Sequence, residues 1–294
     1  MSAHPPLLTL SGAAWDGFGL IDSGDGRKYE RYGPYRFIRP EPQALWAPAL
    51  ETWDADAEFV PASDDDGGGR WYYQRDVPQD GWSMHWDDVT FNAQCTQFRH
   101  LGFFPDMAPV WLWLRSKING LDAPQCLNLF GYTGVGSLAL AKAGAHVVHV
   151  DASKKSVASA RDNAALSGMA HAPIRWIVDD ATKFTAREVR RGRRYDAILL
   201  DPPKFGRGPD GEMWRLEEHL PALIADCAKL LDERSRCLFL TVYAVRMSAL
   251  ALREMLIQAF AAHGGTVEAG ELAIVEEERG LELPTAIWAR WSRD

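Results

Sequence analysis

The chain has 294 residues, of which 47% are hydrophobic and 24% charged; its 32 Lys+Arg against 40 Asp+Glu give a net charge of −8. That apolar fraction supports a full core and excludes a disordered chain. No apolar run approaches the ~18 residues of a membrane span, and the opening MSAHPPLLTL has neither half of a secretory signal. Cys95, Cys126, Cys227 and Cys237 form no CxxC pair, so neither a disulfide scaffold nor a zinc site is expected. A cytoplasmic protein without metal is the expectation, of one large or two smaller domains.

The charge is unevenly spread. Residues 1–90 hold 7 basic and 16 acidic side chains, net −9, and the remainder holds 25 and 24, net +1. An acidic chain repels phosphate backbones at long range, so nucleic-acid binding would rest on local patches. Within residues 1–90, short strand-like runs (Tyr35–Arg39, Arg70–Arg75) flank the tract 63–69, Ser-Asp-Asp-Asp-Gly-Gly-Gly, which reads as an exposed hairpin loop. A small β-rich domain is predicted there. Residues 91–124 form a bridge, with Ala108–Leu121 compatible with a helix.

From Gln125 the pattern alternates. Short apolar runs at Cys126–Phe130, His146–Asp151, Ile174–Asp179, Tyr195–Asp201 and Cys237–Tyr243 predict buried strands. Helical patterns lie between and after them at Val135–Ala143, Ser153–Leu166, Ala186–Arg191, Leu216–Leu231 and Ser248–His263. Ser153 suits an N-cap, and Gly144, Gly168 and Gly264 suit helix stops. Val267–Val275 and Thr285–Trp291 then predict a closing pair of strands. Repeated βα units ending in a hairpin imply a mostly parallel sheet with one antiparallel strand, and a ligand site at the strand ends.

The first strand runs into Phe130-Gly131-Tyr132-Thr133-Gly134-Val-Gly136. Glycines let the backbone turn sharply and approach a ligand closely. Asp151, twenty residues after Gly131, ends the next strand, where a carboxylate can accept from both hydroxyls of a ribose. These two elements indicate a nucleoside-containing cofactor and leave NAD open. Asp180, followed by Ala181, is placed to accept from an adenine amino group; a solvated turn is the plainer reading of Asp179-Asp180. Asp201-Pro202-Pro203-Lys204-Phe205 follows the fourth strand. Two prolines fix φ and remove two donors, giving a stiff, carbonyl-rich lip suited to an amine or a base edge.

With Val150-Asp151-Ala152-Ser153, the helix text from Ser156 to Ala164, and Arg99-His-Leu-Gly102-Phe103-Phe-Pro-Asp106, these motifs resemble the class I S-adenosylmethionine-dependent methyltransferases. More narrowly they are similar to the bacterial 23S ribosomal RNA methyltransferase group of cytosine-5 and guanine-N7 type. The resemblance covers roughly residues 97–294. It implies an α/β, Rossmann-like seven-stranded methyltransferase sheet with a C-terminal antiparallel strand (125–294), beside the β-rich domain at 1–90. It also implies S-adenosyl-L-methionine as cofactor, with the glycines of 131–136 around its methionine part, Asp151 on the ribose and Asp180 on the adenine. Asp201 to Phe205 would lie beside the transferable methyl, and Gly102 and Phe103 would help close the pocket.

Cytosine-5 chemistry needs a thiolate that adds to carbon 6. In the similar enzymes that cysteine follows the fifth strand, where this chain has Ala244, so cytosine-5 chemistry is discounted. Direct transfer to nitrogen or oxygen needs proximity and orientation, for which Asp201, Lys204 and Tyr243 are the polar candidates; Lys204 pointing to solvent is the bland alternative. Phe205 suits stacking on a splayed base as well as buried packing. Two basic stretches bear on RNA. Arg27–Arg39 interleaves basic and aromatic residues, and Arg187–Arg194 is a denser cluster; a half-exposed hairpin and a solvated face produce the same text. The expected activity is methylation of a base in ribosomal or other structured RNA. The alternatives are a protein or small-molecule methyltransferase, a silent cofactor-binding assembly factor, and an NAD-dependent oxidoreductase. The oligomeric state, a homodimer included, is left open.

Overall fold

The computed structural model describes residues 6–62, 68–243 and 246–293. Most of the Asp-Gly tract expected as a hairpin loop, and Ala244, lie outside the described residues. The chain divides into two compact units, one of Ser11–Ala108 with Leu272–Thr285, the other of Pro109–Glu271 with the residues up to Leu10 and from Ala286 onward.

The chain opens with β1 (Leu8–Gly12). In the first of the two units, β2 (Phe18–Gly24), β3 (Arg27–Tyr32), β4 (Tyr35–Pro40), β5 (Ala57–Pro61) and β6 (Gly69–Tyr73) form a five-stranded sheet in that order. β7 (Trp82–Trp86) and β8 (Val89–Ala93) pair as a separate hairpin. Asp25 and Gly26 join β2 to β3 with φ of 50° and 73°, the twist a two-residue hairpin favours. The core is aromatic: Phe18, Tyr32, Phe37, Phe91 and Phe103 are buried, several in edge-to-face contact.

The basic and aromatic stretch Arg27–Arg39 is the β3–β4 hairpin, whose aromatic residues are largely turned inward. Tyr29, Tyr32 and Phe37 point into the core. Arg39 is buried against Glu30 at 2.7 Å and donates to the Tyr32 hydroxyl at 2.6 Å. Strand alternation over an aromatic core accounts for that pattern. The tip of the last hairpin is tied into this unit by Arg279, which donates to Ser23 O and the Glu276 and Asp22 carboxylates.

In the other unit α1 (Ala108–Ile118) precedes β9 (Gln125–Leu129), α2 (Val135–Lys142), β10 (His146–Asp151), α3 (Lys154–Leu166), β11 (Ile174–Val178), α4 (Ala181–Arg190) and β12 (Ala197–Leu200). A short hairpin of β13 (Phe205–Arg207) and β14 (Met213–Arg215) follows. Then come α5 (Leu216–Lys229), β15 (Cys237–Tyr243), α6 (Ala249–Ala259), β16 (Thr266–Val275) and β17 (Glu282–Ser292). The sheet is eight-stranded, in the order β1-β16-β17-β15-β12-β9-β10-β11. β15, β12, β9, β10 and β11 are parallel, and β17 is antiparallel to β15. All seven strands expected from the sequence are present, and β1 adds an eighth at the edge.

Two differences have local causes. The helix expected at Ala186–Arg191 begins at Ala181, because Asp180 caps it: its Oδ1 accepts the Lys183 N–H at 2.9 Å. The β13–β14 hairpin has three-residue strands, too short for a periodic signal. Ser153 caps α3 as expected, accepting from Ser156 N–H at 3.1 Å.

One sheet face packs Leu127, Leu129, Ile198, Leu200, Leu238 and Leu240 against the helices that carry Phe184, Leu220, Ile224 and Leu252. β9 lies between β10 and β12, which the chain reaches in opposite directions. That reversal is the topological switch, and in open α/β sheets ligands bind there, beyond the carboxyl ends of the strands. No helix among the described residues is long and apolar enough to cross a membrane.

Candidate active site

The carboxyl ends of β9, β10, β11, β12 and β15 deliver Phe130, Asp151, Asp179, Asp201 and Tyr243 to one edge of the sheet. Parallel register makes this unavoidable, since Leu129 pairs with both Val150 and Leu200. At the switch the two central loops are joined directly, the Asp201 N–H donating to Leu129 O at 3.4 Å.

After β9 the backbone turns through two non-glycine residues with positive φ, Phe130 at 57° and Tyr132 at 48°. Each such residue costs about 1 kcal/mol or more and persists only where its surroundings hold it. Here Gly131 N–H donates to Val150 O at 3.0 Å, Tyr132 N–H to Asp151 Oδ2 at 2.9 Å, and Asn163 Nδ2 to Thr133 O at 2.9 Å. Gly134, with φ 86°, ends the turn and begins α2. The glycines also answer to the protein's own packing. A Cβ at Gly131 would lie 2.5 Å from the His149 ring, at Gly134 2.7 Å from Ala160 Cβ, and at Gly136 3.0 Å from Trp111 Nε1.

Asp151 takes one backbone donor on each oxygen, Tyr132 N–H on Oδ2 and Ser153 N–H on Oδ1 at 2.8 Å. Each oxygen keeps a second lone pair, so the carboxylate can still receive two hydroxyls. Burial raises its pKa above the usual carboxylate value, and the two N–H donors pull it back. Burial together with Asp151 pushes the Tyr132 phenol up to about 12. Asp180 is buried and spends Oδ1 on the Lys183 N–H and the Thr182 hydroxyl. Asp179 is in an ion pair with Arg187.

In the lip, Asp201 Oδ1 accepts from Thr241 Oγ1 at 2.7 Å, Pro202 is buried and Pro203 is exposed. Pro203 O accepts from Trp214 Nε1 at 2.6 Å, so this carbonyl is committed to the hairpin. The Lys204 ammonium sits 5.3 Å from the centre of the Phe205 ring. Phe205 is 61% exposed, which answers the packing alternative: its ring faces solvent. Gly102 and Phe103 belong to the β-rich unit, where Phe103 packs edge-on against Phe91 and Tyr32. Of the arginine cluster, Arg187 and Arg191 are spent on Asp179 and Glu188.

Sequence reading missed the layer beneath the glycine turn. Asn128 Nδ2 donates to Ser137 Oγ at 2.9 Å, and Ser137 Oγ lies 2.9 Å from His149 Nδ1. Burial holds the His149 pKa down at about 3, so the ring is neutral. The available signal was a polar residue at matching positions of two apolar strands, Asn128 opposite His149. Trp214 was also missed; its ring stands 5.0 Å from Phe130 while its N–H holds the lip.

A Gly-rich turn, a strand-end acid and an Asp-Pro-Pro lip at the switch of a parallel sheet define a nucleoside-cofactor enzyme of Rossmann-like type. The profile of the S-adenosylmethionine-dependent methyltransferases matches residues 64–234, and the chain belongs to that family, whose methyl donor is S-adenosylmethionine. A crystal structure of the SAM-dependent methyltransferase from Agrobacterium tumefaciens superposes with a TM-score of 0.93 and 42% identity, covering 100% of this chain and 98% of that one. Ribosomal RNA large subunit methyltransferase I of Aeromonas salmonicida is 39% identical over 85 residues, 29% of this chain and 22% of that protein. Ribosomal RNA large subunit methyltransferase K/L of Marinobacter nauticus is 28% identical over 141 residues, 47% of this chain and 19% of that protein. The chain thus matches about a fifth of the length of these two relatives.

Proposed function

We propose that the chain methylates a base in ribosomal or other structured RNA, by direct transfer without a cysteine adduct. The observation that carries this reading is the juxtaposition at the switch, where the Asp201 lip is hydrogen-bonded to the strand end that begins the glycine turn. Bound S-adenosylmethionine supplies an electrophilic methyl on a sulfonium. The residues fit it: Asp151 retains acceptor capacity for both ribose hydroxyls, Asp180 Oδ2 remains for the adenine amino group, and the Gly131–Gly136 turn admits the methionine part. Asp201, fixed by Thr241, together with Lys204 and Tyr243, orients the attacking atom and takes up its proton.

The cysteines favour direct transfer. Burial pushes the Cys237 thiol up to about 12 and Cys95 to about 11, and raises those of Cys126 and Cys227 as well. A thiolate nucleophile needs the opposite shift. The names of the ribosomal RNA relatives and the exposed Phe205 beside Lys204 support RNA. Against it, the net charge of −9 in residues 1–90 favours the second reading, a protein or small-molecule substrate. Asp201→Ala tests the lip: turnover should fall 100-fold or more while S-adenosylmethionine affinity, read by calorimetry, changes less than tenfold. An unchanged rate refutes the role of Asp201.

A further inference from the structure

The β13–β14 hairpin has no part in the sheet, yet it is firmly held. Its strands pair Phe205 with Arg215, Gly206 with Trp214 and Arg207 with Met213. Alternation along a strand puts Gly206 and Trp214 on one face and the other four on the opposite face. Trp214 is 3% exposed, anchored by Phe130 and by the Pro203 carbonyl. Leu216 N–H returns to Lys204 O at 3.0 Å, and Glu212 at the turn is paired with Lys183. A hairpin of three-residue strands is marginal by itself; this one is pinned to the lip and to the start of the glycine turn.

Its outer face is left to solvent. Phe205 is 61% and Met213 51% exposed, and Arg207 and Arg215 are exposed beside them. None of the six strand residues carries a carboxylate. Of the nearby acids, Glu212 is engaged with Lys183, and Glu218 reaches Arg215 on this face at 3.0 Å in an exposed pair, while Arg207 has no ion-pair partner among the described residues. A fold that wanted only to close the chain between β12 and α5 gains nothing from exposing Phe and Met here.

Resting on the RNA reading above, we infer that this face is the platform for the single-stranded nucleotides flanking the target base. A flat ring and a thioether offer stacking surface to unstacked bases, and Arg207 and Arg215, at diagonal positions of the two paired strands and so roughly 7 Å apart at their bases, suit consecutive phosphates. A duplex keeps its base faces stacked and cannot use Phe205 or Met213 in this way, so the occupant is a single strand. Trp214 gives the platform its register: it fixes the hairpin to Pro203, so a strand seated on the outer face is led to the Asp201 lip.

The test combines Arg207→Ala, Met213→Ala and Arg215→Ala, all surface changes, in the full chain. Binding of a fluorescent 12-nucleotide single-stranded RNA should weaken 10- to 100-fold. The slope of log affinity against log salt should shrink by about 1.4, near 0.7 for each arginine removed, with S-adenosylmethionine affinity and thermal midpoint unchanged. Wild-type protein that fails to bind the oligonucleotide, or a triple variant with wild-type affinity and slope, overturns the platform. Methyl transfer into RNA by the wild type is scored separately. Transfer into RNA at an unaltered KM in the triple variant sinks the platform while sparing the RNA reading, whereas oligonucleotide binding without any RNA methylation sinks that reading alone. Label lost from protein substrates only, with RNA binding intact, also overturns the platform.

Discussion

Gly131→Ala is the substitution whose cost is most directly set by the geometry. Gly131 is not in the left-handed region, so backbone strain is not the issue; room is. The new Cβ would stand 2.5 Å from His149 Cε1 and Nδ1, against 3.4 Å for ordinary contact, so something must yield by 3.4 − 2.5 = 0.9 Å. The imidazole cannot recede easily. It is fully buried, its ring is 4.9 Å from Trp176, and Nδ1 is held by Ser137. Overpacking of this kind costs about 1–3 kcal/mol, which corresponds to a fall in thermal midpoint of roughly 2–10 °C. Where the turn moves instead of the ring, the cost appears as at least tenfold weaker S-adenosylmethionine binding. Scanning calorimetry and titration calorimetry read the two outcomes. In a His149→Ala background the obstruction is gone, and adding Gly131→Ala should cost less than about 0.5 kcal/mol, a coupling of about 1 kcal/mol or more. Additive effects, or a neutral Gly131→Ala, would refute the claim that His149 is the floor of the cofactor turn.

In the proposed cofactor site Asp151→Ala would remove two charge-assisted bonds to ribose as well as the acceptor of the Tyr132 and Ser153 N–H groups, so S-adenosylmethionine should bind about 100-fold more weakly or worse by calorimetry; normal affinity takes Asp151 out of the site. His149, with a pKa near 3, and His100, near 4, refuse a proton that the unfolded chain accepts below about 6.5. Their contribution is therefore complete above pH 6.5 and is lost as pH falls toward 3, at roughly 1.4 kcal/mol per pH unit for each ring. Urea unfolding between pH 7 and 4.5 should show that slope reduced by one such share in His149→Phe; an identical slope contradicts the assignment. Cys95→Ala and Cys237→Ala should each keep turnover within twofold, and RNA carrying 5-fluorocytosine should form no denaturant-stable complex. Loss of turnover in either variant, or a trapped complex, reinstates a covalent mechanism.

What could be read in advance divides along physical lines. β10 and β15 fall at their expected residues because buried parallel strands are continuous apolar runs with sharp ends. The glycine turn, Asp151 and the Asp-Pro-Pro lip were legible because each is a local string with its own backbone logic. Asp180 was read as a possible adenine contact, and its role as a helix cap, which moves the start of α4 to Ala181, went unseen. The stretch Arg27–Arg39 was ambiguous because a strand facing an aromatic core alternates as an RNA-binding strand does; the burial of Arg39 on Glu30 comes only from the fold. Pairings far apart in sequence were out of reach. Examples are β1 beside β16, Arg279 on Asp22 and Ser23, and Asn128, Ser137 and His149 meeting beneath the turn. These depend on which strands become neighbours, which single-residue patterns do not encode.

The proposed reaction is methyl transfer from S-adenosylmethionine to an RNA base at the Asp201 lip. The direct measurement incubates the purified chain with methyl-labelled S-adenosylmethionine and, separately, total RNA and total protein from cells that lack it, followed by nucleoside chromatography. Label is expected in one RNA species, recovered as a single methylated nucleoside and abolished by Asp201→Ala. Label confined to protein or small molecules, or no label despite tight cofactor binding, would contradict it.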